Sequence, residues 1–111
     1  VASNGPYEQQ VHRLEIADMK KYFDYIFVSE KVGVSKPSAD FFAYAFAEIN
    51  RSRDEIILPQ ETMIIGDSLA SDIEGGLRYG MQTCLYRRKK GIAVPDPVYV
   101  IDDLSQVTEF L

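Results

Sequence analysis

Thr62-Met63-Ile64-Ile65-Gly66-Asp67-Ser68-Leu69-Ala70-Ser71-Asp72 opens as an apolar, partly β-branched run and closes on two carboxylates. Four apolar or β-branched positions halted by glycine predict a buried strand over Thr62–Gly66. Asp67 then leaves the strand end, and Leu69 to Tyr79 has the length of a helix. Gly75 and Gly76 each weaken that helix by roughly 1 kcal/mol relative to alanine, so the pair predicts close backbone packing against a sheet. A strand followed by a helix that returns a second carboxylate, Asp72, toward the first is the local unit from which the rest of the chain is read.

Downstream, Gly80 is placed to close the helix in the left-handed conformation, and Met81–Tyr86 predicts a further strand. Pro95 and Pro97 break up the next loop, Val98–Ile101 predicts a last strand, and Leu104, Val107, Phe110 and Leu111 give a closing helix its apolar side. Upstream, Asn50–Glu61 reads as a polar connection with a short helical turn before Pro59. Phe42, Ala45, Phe46 and Ile49 recur at helical spacing over Ala39–Ile49. Pro37 disfavours a helical Lys36, leaving that lysine in a loop at a helix entrance. Ser29–Ser35 reads as loop, Tyr25–Val28 as a short buried strand, and Glu8–Tyr22 as an amphipathic helix after the Asn4-Gly5-Pro6 turn. Val1-Ala2 reads as the end of a strand that runs into Ser3-Asn4-Gly5.

Strands alternating with helices predict an α/β fold: a Rossmann-like parallel sheet with helices on both faces, in one domain spanning residues 1–111. Ligands in such folds collect beyond the carboxyl ends of the strands. Twelve Lys and Arg against seventeen Asp and Glu give a net charge of −5, which disfavours a nucleic-acid partner. No apolar run is long enough to span a bilayer, so no membrane partner is expected. The single Cys84 permits no internal disulfide, and a cytoplasmic setting is the default expectation.

Three polar clusters fall at predicted strand ends. Ser3-Asn4-Gly5 offers a hydroxyl, an amide and backbone N–H groups to a phosphate oxygen, or is simply turn chemistry. Lys36 can neutralise a phosphate and a nearby carboxylate, or face water. Asp67 and Asp72 present the hard oxygen ligands that Mg²⁺ prefers; in the other reading Asp72 or Ser71 caps a helix and Asp67 caps or turns a loop. His12 lies among polar neighbours with no second ligand at metal-binding spacing and reads as surface, while Cys84 reads as core. Arg87-Arg88-Lys89-Lys90 reads as a solvated basic loop, and Phe41, Phe42, Tyr44 and Phe46 as core rather than a stacking platform.

Together the three clusters resemble, in order and approximate spacing, the second, third and fourth motifs of the haloacid dehalogenase-like phosphatases. The likeness continues through Leu77–Tyr86. Phe27-Val28-Ser29-Glu30, the Lys36-Pro37 loop and Ile64–Gly76 look most similar to the pyrimidine 5′-nucleotidase-like subfamily. That resemblance implies a Mg²⁺-dependent phosphomonoesterase working through an aspartyl phosphate on a small phosphorylated metabolite, with nucleoside monophosphates foremost. It implies that Ser3, Asn4 and Gly5 hold the phosphoryl group, that Lys36 neutralises it and the nucleophile, and that Asp67 and Asp72 hold Mg²⁺ directly or through water.

One departure matters. The family's first motif, an Asp-x-Asp segment that supplies the nucleophile and the proton-handling carboxylate, has no counterpart in these 111 residues, and Asp102-Asp103 cannot replace it. The family's helical cap is likewise not represented. The expectation is therefore the C-terminal part of a core domain that hydrolyses nothing by itself. The rival expectation is a non-catalytic α/β domain that binds phosphate or a partner.

Overall fold

A computed structural model of the chain describes residues 1–87 and 98–109. It divides into two compact units, Val1–Ile56 and Ile57–Leu111, described separately below. The expected prolines 95 and 97 and the last two apolar positions, Phe110 and Leu111, lie outside the described residues.

In the first unit β1 (Ala2–Ser3) pairs in parallel with β2 (Phe27–Val28), Ala2 opposite Phe27 and Ser3 opposite Val28. Helix α1 (Tyr7–Ile16) connects them. The apolar spacing predicts this helix as far as Tyr22, yet it stops at Ile16. Asp18 adopts φ 55°, its N–H donates to the Glu15 carbonyl at 3.0 Å, and Met19 N–H reaches back to Leu14 at 2.9 Å. These two bonds form a Schellman ending, with aspartate in the left-handed position usually held by glycine. A separate 3₁₀ turn covers Lys20–Tyr22.

The segment expected to be a loop after β2 instead begins with a one-turn helix, α2 (Ser29–Val32), closed by Gly33 at φ 93°. Helix α3 (Ala39–Asn50) starts one residue after Ser38, whose hydroxyl accepts from Asp40 N–H at 3.2 Å. Phe41, Phe42, Ala45 and Phe46 of α3 are buried, as is Val28, and they form this unit's core. Tyr44 departs from the expected core set. It is 44% exposed and meets Phe27 edge-on, with ring centroids 6.3 Å apart.

The second unit holds three parallel strands in the order β3 (Met63–Gly66), β4 (Gln82–Tyr86), β5 (Tyr99–Ile101). A 3₁₀ turn over Pro59–Glu61 precedes β3, starting at the proline rather than before it. Between β3 and β4 the single expected helix is two pieces: a π-helical turn over Leu69–Ile73 and helix α4 (Glu74–Tyr79). The wide turn is visible in Ile73 N–H, which donates five residues back to the Ser68 carbonyl at 3.1 Å. Gly80, at φ 92°, ends α4 as expected. Gly76 is buried where a Cβ would run into the Ile64 and Thr83 side chains, which is the close packing that the glycine pair predicts.

Ile64, Ile73, Cys84, Leu85 and Ile101 make the second core. After β5 the expected closing helix is a 3₁₀ segment over Leu104–Glu109 with no buried residue, and Leu104 is 61% exposed. Local polar bonds hold it. Gln106 Oε1 accepts from Asp102 N–H at 2.7 Å and from Asp103 N–H at 3.1 Å. Among the described residues no helix is long and apolar enough to cross a membrane.

Candidate active site

The sequence-derived site residues divide between the units: Ser3, Asn4, Gly5 and Lys36 lie in the first, Asp67 and Asp72 in the second. Each group sits at or just beyond the carboxyl end of a parallel strand, or in a loop tied to one.

Ser3 ends β1, and its hydroxyl makes a long 3.4 Å contact with the Asn4 carbonyl. Asn4 reaches 32 residues along the chain to the backbone of Lys36. Lys36 N–H donates to Asn4 Oδ1 at 2.9 Å, and Asn4 Nδ2 donates to the Lys36 carbonyl at 3.2 Å. Gly5 N–H, one of the backbone donors expected to face an anion, donates to Ser29 Oγ at 2.8 Å. Tyr7 N–H, in the first turn of α1, donates to Glu30 Oε1 at 3.4 Å. The start of α2 thus satisfies backbone donors at the start of α1. Ser29 and Glu30 are structural participants that the sequence reading placed in a loop. Their signal was the polar pair directly after a buried strand, which fits a cap as well as a turn.

In the second unit Asp67 is exposed just past β3, whereas Asp72 is buried, with 7% of its surface accessible. The Asp72 carboxylate lies against the Gly66 Cα, in the space a Cβ would occupy. It also accepts from Ser68 N–H at 3.3 Å, while Ser68 Oγ accepts from Ser71 N–H at 3.1 Å. This reciprocal arrangement satisfies orphan donors at the start of the π turn in the manner of a capping box. The capping reading of Asp72 therefore holds, and Ser68, which the sequence reading did not single out, is the N-cap.

Capping by itself does not remove Asp72 from metal chemistry, because a carboxylate has about four lone-pair sites and each N–H bond takes one. No group of three His, Cys, Asp or Glu side chains able to hold a metal gathers among the described residues. Two carboxylates, one exposed and one anchored, fit an ion such as Mg²⁺, which takes one or two protein carboxylates and completes its shell with water and substrate oxygens. Asp102 and Asp103 are engaged elsewhere. Asp102 receives Arg87 Nε and Nη2 at 2.9 and 3.0 Å, and Asp103 accepts from Ser105 N–H and hydroxyl at 2.9 and 2.8 Å. His12 is exposed and Cys84 buried, as expected. Arg87 is paired rather than solvated, and residues 88–90 of the basic run lie outside the described residues.

Comparison with known proteins places the chain in a family. The HAD-hydrolase-like family matches residues 33–107. Over its whole length the chain is 35% identical to the putative HAD-hydrolase YfnB of Bacillus subtilis, covering 46% of that protein. The magnesium-bound crystal structure of YfnB matches 97% of this chain and 46% of its own, at 34% identity and a TM-score of 0.87. Pyrimidine 5′-nucleotidase YjjG of Escherichia coli is 32% identical over the whole chain, which covers 48% of it. Glyceraldehyde 3-phosphate phosphatase of Pyrococcus furiosus is 30% identical over the whole chain, which covers 45% of it. The chain belongs to the haloacid dehalogenase-like hydrolase family. It spans about half the length of the curated relatives it matches.

Proposed function

We propose that this chain is the C-terminal part of a single catalytic core and carries the phosphate- and metal-holding groups of a phosphomonoester hydrolase. Its substrates are small phosphorylated metabolites, nucleoside monophosphates foremost. What supports the reading is placement: Ser3 closes β1 and Asp67 follows β3, at the strand ends where α/β folds collect ligands. Relatives named for a pyrimidine nucleotide and for a sugar phosphate point to the same substrate class.

In this reading the Ser3 hydroxyl donates to a non-bridging phosphate oxygen, and the Lys36 ammonium balances the charge that builds on the phosphoryl group. Asp67 and Asp72 hold Mg²⁺, which when bound supplies positive charge to the transferring phosphoryl oxygens. Asp72, fixed over Gly66 and tied to Ser68 N–H, is the pre-positioned ligand of the two, and exposed Asp67 is the one that reaches solvent. The attacking carboxylate, on which the aspartyl phosphate forms, comes from an Asp-x-Asp segment that this sequence does not contain. The 111 residues alone therefore hydrolyse nothing.

A phosphate-release assay tests both halves. A panel of nucleoside and sugar monophosphates is offered with Mg²⁺ to the 111-residue chain, and to the same chain joined to a core segment bearing Asp-x-Asp. Turnover only by the longer form, lost in Asp67→Asn, is the expected result. Activity in the 111 residues that survives repurification and disappears in Asp67→Asn overturns the inactivity of the chain alone. A longer form that binds phosphate without turning over any ester favours a non-catalytic domain.

A further inference from the structure

The polar residue after β1 is engaged in an unexpected direction. A carboxamide has the donor and acceptor geometry of a peptide group. Asn4 uses it as one strand uses another, accepting from Lys36 N–H at 2.9 Å and donating to the Lys36 carbonyl at 3.2 Å. This is the two-bond exchange of a hydrogen-bonded antiparallel pair, made by a side chain. The pairing also fixes the amide orientation, since only oxygen can face the N–H and only nitrogen the carbonyl.

Lys36 lies between helices rather than within one. Helix α2 has ended at Gly33 and α3 begins only at Ala39, so residues 34–37 cross between helices, with a turn bond from Ser38 N–H to the Ser35 carbonyl at 3.0 Å. Asn4 itself is anchored on both sides. Ser3 is paired with β2, and Gly5 N–H is bonded to Ser29 Oγ. A clamp on both polar groups of one residue sets where its Cα–Cβ bond points. For a long, flexible lysine this limits the region its ammonium can sweep.

We infer that Asn4 is the positioning residue for Lys36 and influences a bound phosphate through that lysine rather than by touching it. The inference rests on the phosphatase reading of Lys36 and departs from the direct phosphate contact that the family resemblance implies for Asn4.

Two measurements on the 111-residue chain separate the alternatives. The first is amide hydrogen exchange at Lys36 by NMR. Asn4→Ala should speed exchange at Lys36 by roughly five- to tenfold, the size expected for one lost hydrogen bond, with β3–β5 amides unchanged. Asn4→Asp sets a carboxylate oxygen against the Lys36 carbonyl in place of the amide donor and should lose protection as well. Unchanged exchange in either variant overturns the clamp, and the Asp variant decides the matter if the Ala variant does not fold.

The second is a double-mutant cycle on the affinity for inorganic phosphate in the presence of Mg²⁺. Asn4→Ala and Lys36→Met should each weaken binding, and the double variant should bind no worse than Lys36→Met alone. A double variant weakened by the product of the two single effects makes Asn4 a direct phosphate ligand and overturns the inference. If Lys36→Met leaves phosphate binding unchanged, the phosphatase reading of Lys36 fails, and the exchange result still decides whether Asn4 clamps the lysine loop.

Discussion

The carboxylate of Asp72 occupies the space where a side chain at Gly66 would begin. Glycine is required there for room, because any Cβ would displace the one carboxylate that is buried among the described residues. Gly66→Ala should therefore move Asp72 and loosen its bond to Ser68 N–H, destabilising the chain by about 1–3 kcal/mol, as overpacking of a filled site does. Denaturant unfolding measures the loss. An alanine variant as stable as the parent would mean that the turn after β3 relaxes freely.

Gly76 makes the same point against a different expectation. Inside a helix, replacing glycine by alanine normally stabilises by about 0.5–1 kcal/mol. At Gly76 a Cβ would meet the Ile64 methyl and lie 3.0 Å from the Thr83 methyl, both on the sheet beneath. Gly76→Ala should thus lower the melting temperature, and an unchanged or raised value would mean that the Ile64 and Thr83 side chains give way.

The strand ends and the parallel pairing are legible because short apolar runs bounded by Gly, Asp or Pro and separated by helices have few other readings. What escaped lay beyond periodicity. The stop at Ile16 is made by Asp18 in a left-handed conformation, a position where sequence rules look for glycine. Apolar spacing also averages over the π turn at Leu69–Ile73, since one wide turn shifts the pattern by less than the spacing itself varies. Ser3, Asn4, Lys36, Asp67 and Asp72 stood out by residue type and position. The Asn4–Lys36 exchange and the Asp72–Gly66 contact did not, because each depends on a tertiary approach that no local pattern encodes.

Cys84 is fully buried, and burial pushes its thiol above the ordinary range. A group raised on folding adds stability that is complete below its unfolded value and is lost as pH climbs through the folded one. Melting measured from pH 7 to 10 should therefore fall more steeply in the wild type than in Cys84→Ala. An exposed-thiol reagent at pH 8 should label Cys84 only when denaturant is added, and rapid labelling of the folded chain would contradict its burial.

Asp103 behaves with the opposite sign. Bonds from Ser105 N–H, and then from the Ser105 hydroxyl, hold its carboxyl below the usual value. The stability it lends is present above the unfolded carboxylate value and is lost as pH falls through the lower, folded one. An NMR titration should find its midpoint depressed, moving part of the way back in Ser105→Ala because the backbone donor remains. The same midpoint in both proteins would leave the hydroxyl no role.

Magnesium offers the sharpest separation between a hydrolase core and an inert α/β frame. An ion that binds only the folded chain stabilises it by RT ln(1 + [L]/Kd), or about 1.4 kcal/mol at ten times Kd. For a domain of this size that amounts to several degrees of melting temperature. Asp67, exposed at the end of β3, and Asp72, anchored across Gly66, are the carboxylates proposed to hold the ion. Millimolar Mg²⁺ should raise the melting temperature of the wild type and of Asp103→Asn, whose carboxylate is tied to Ser105. It should leave Asp67→Ala unmoved. Asp72→Asn should lose most of the shift, since an amide keeps one oxygen for Ser68 N–H but not the charge that attracts a dication. Equal shifts in all four proteins would assign the effect to general ionic screening, and no shift in any of them would leave Asp72 its capping role and overturn the metal site.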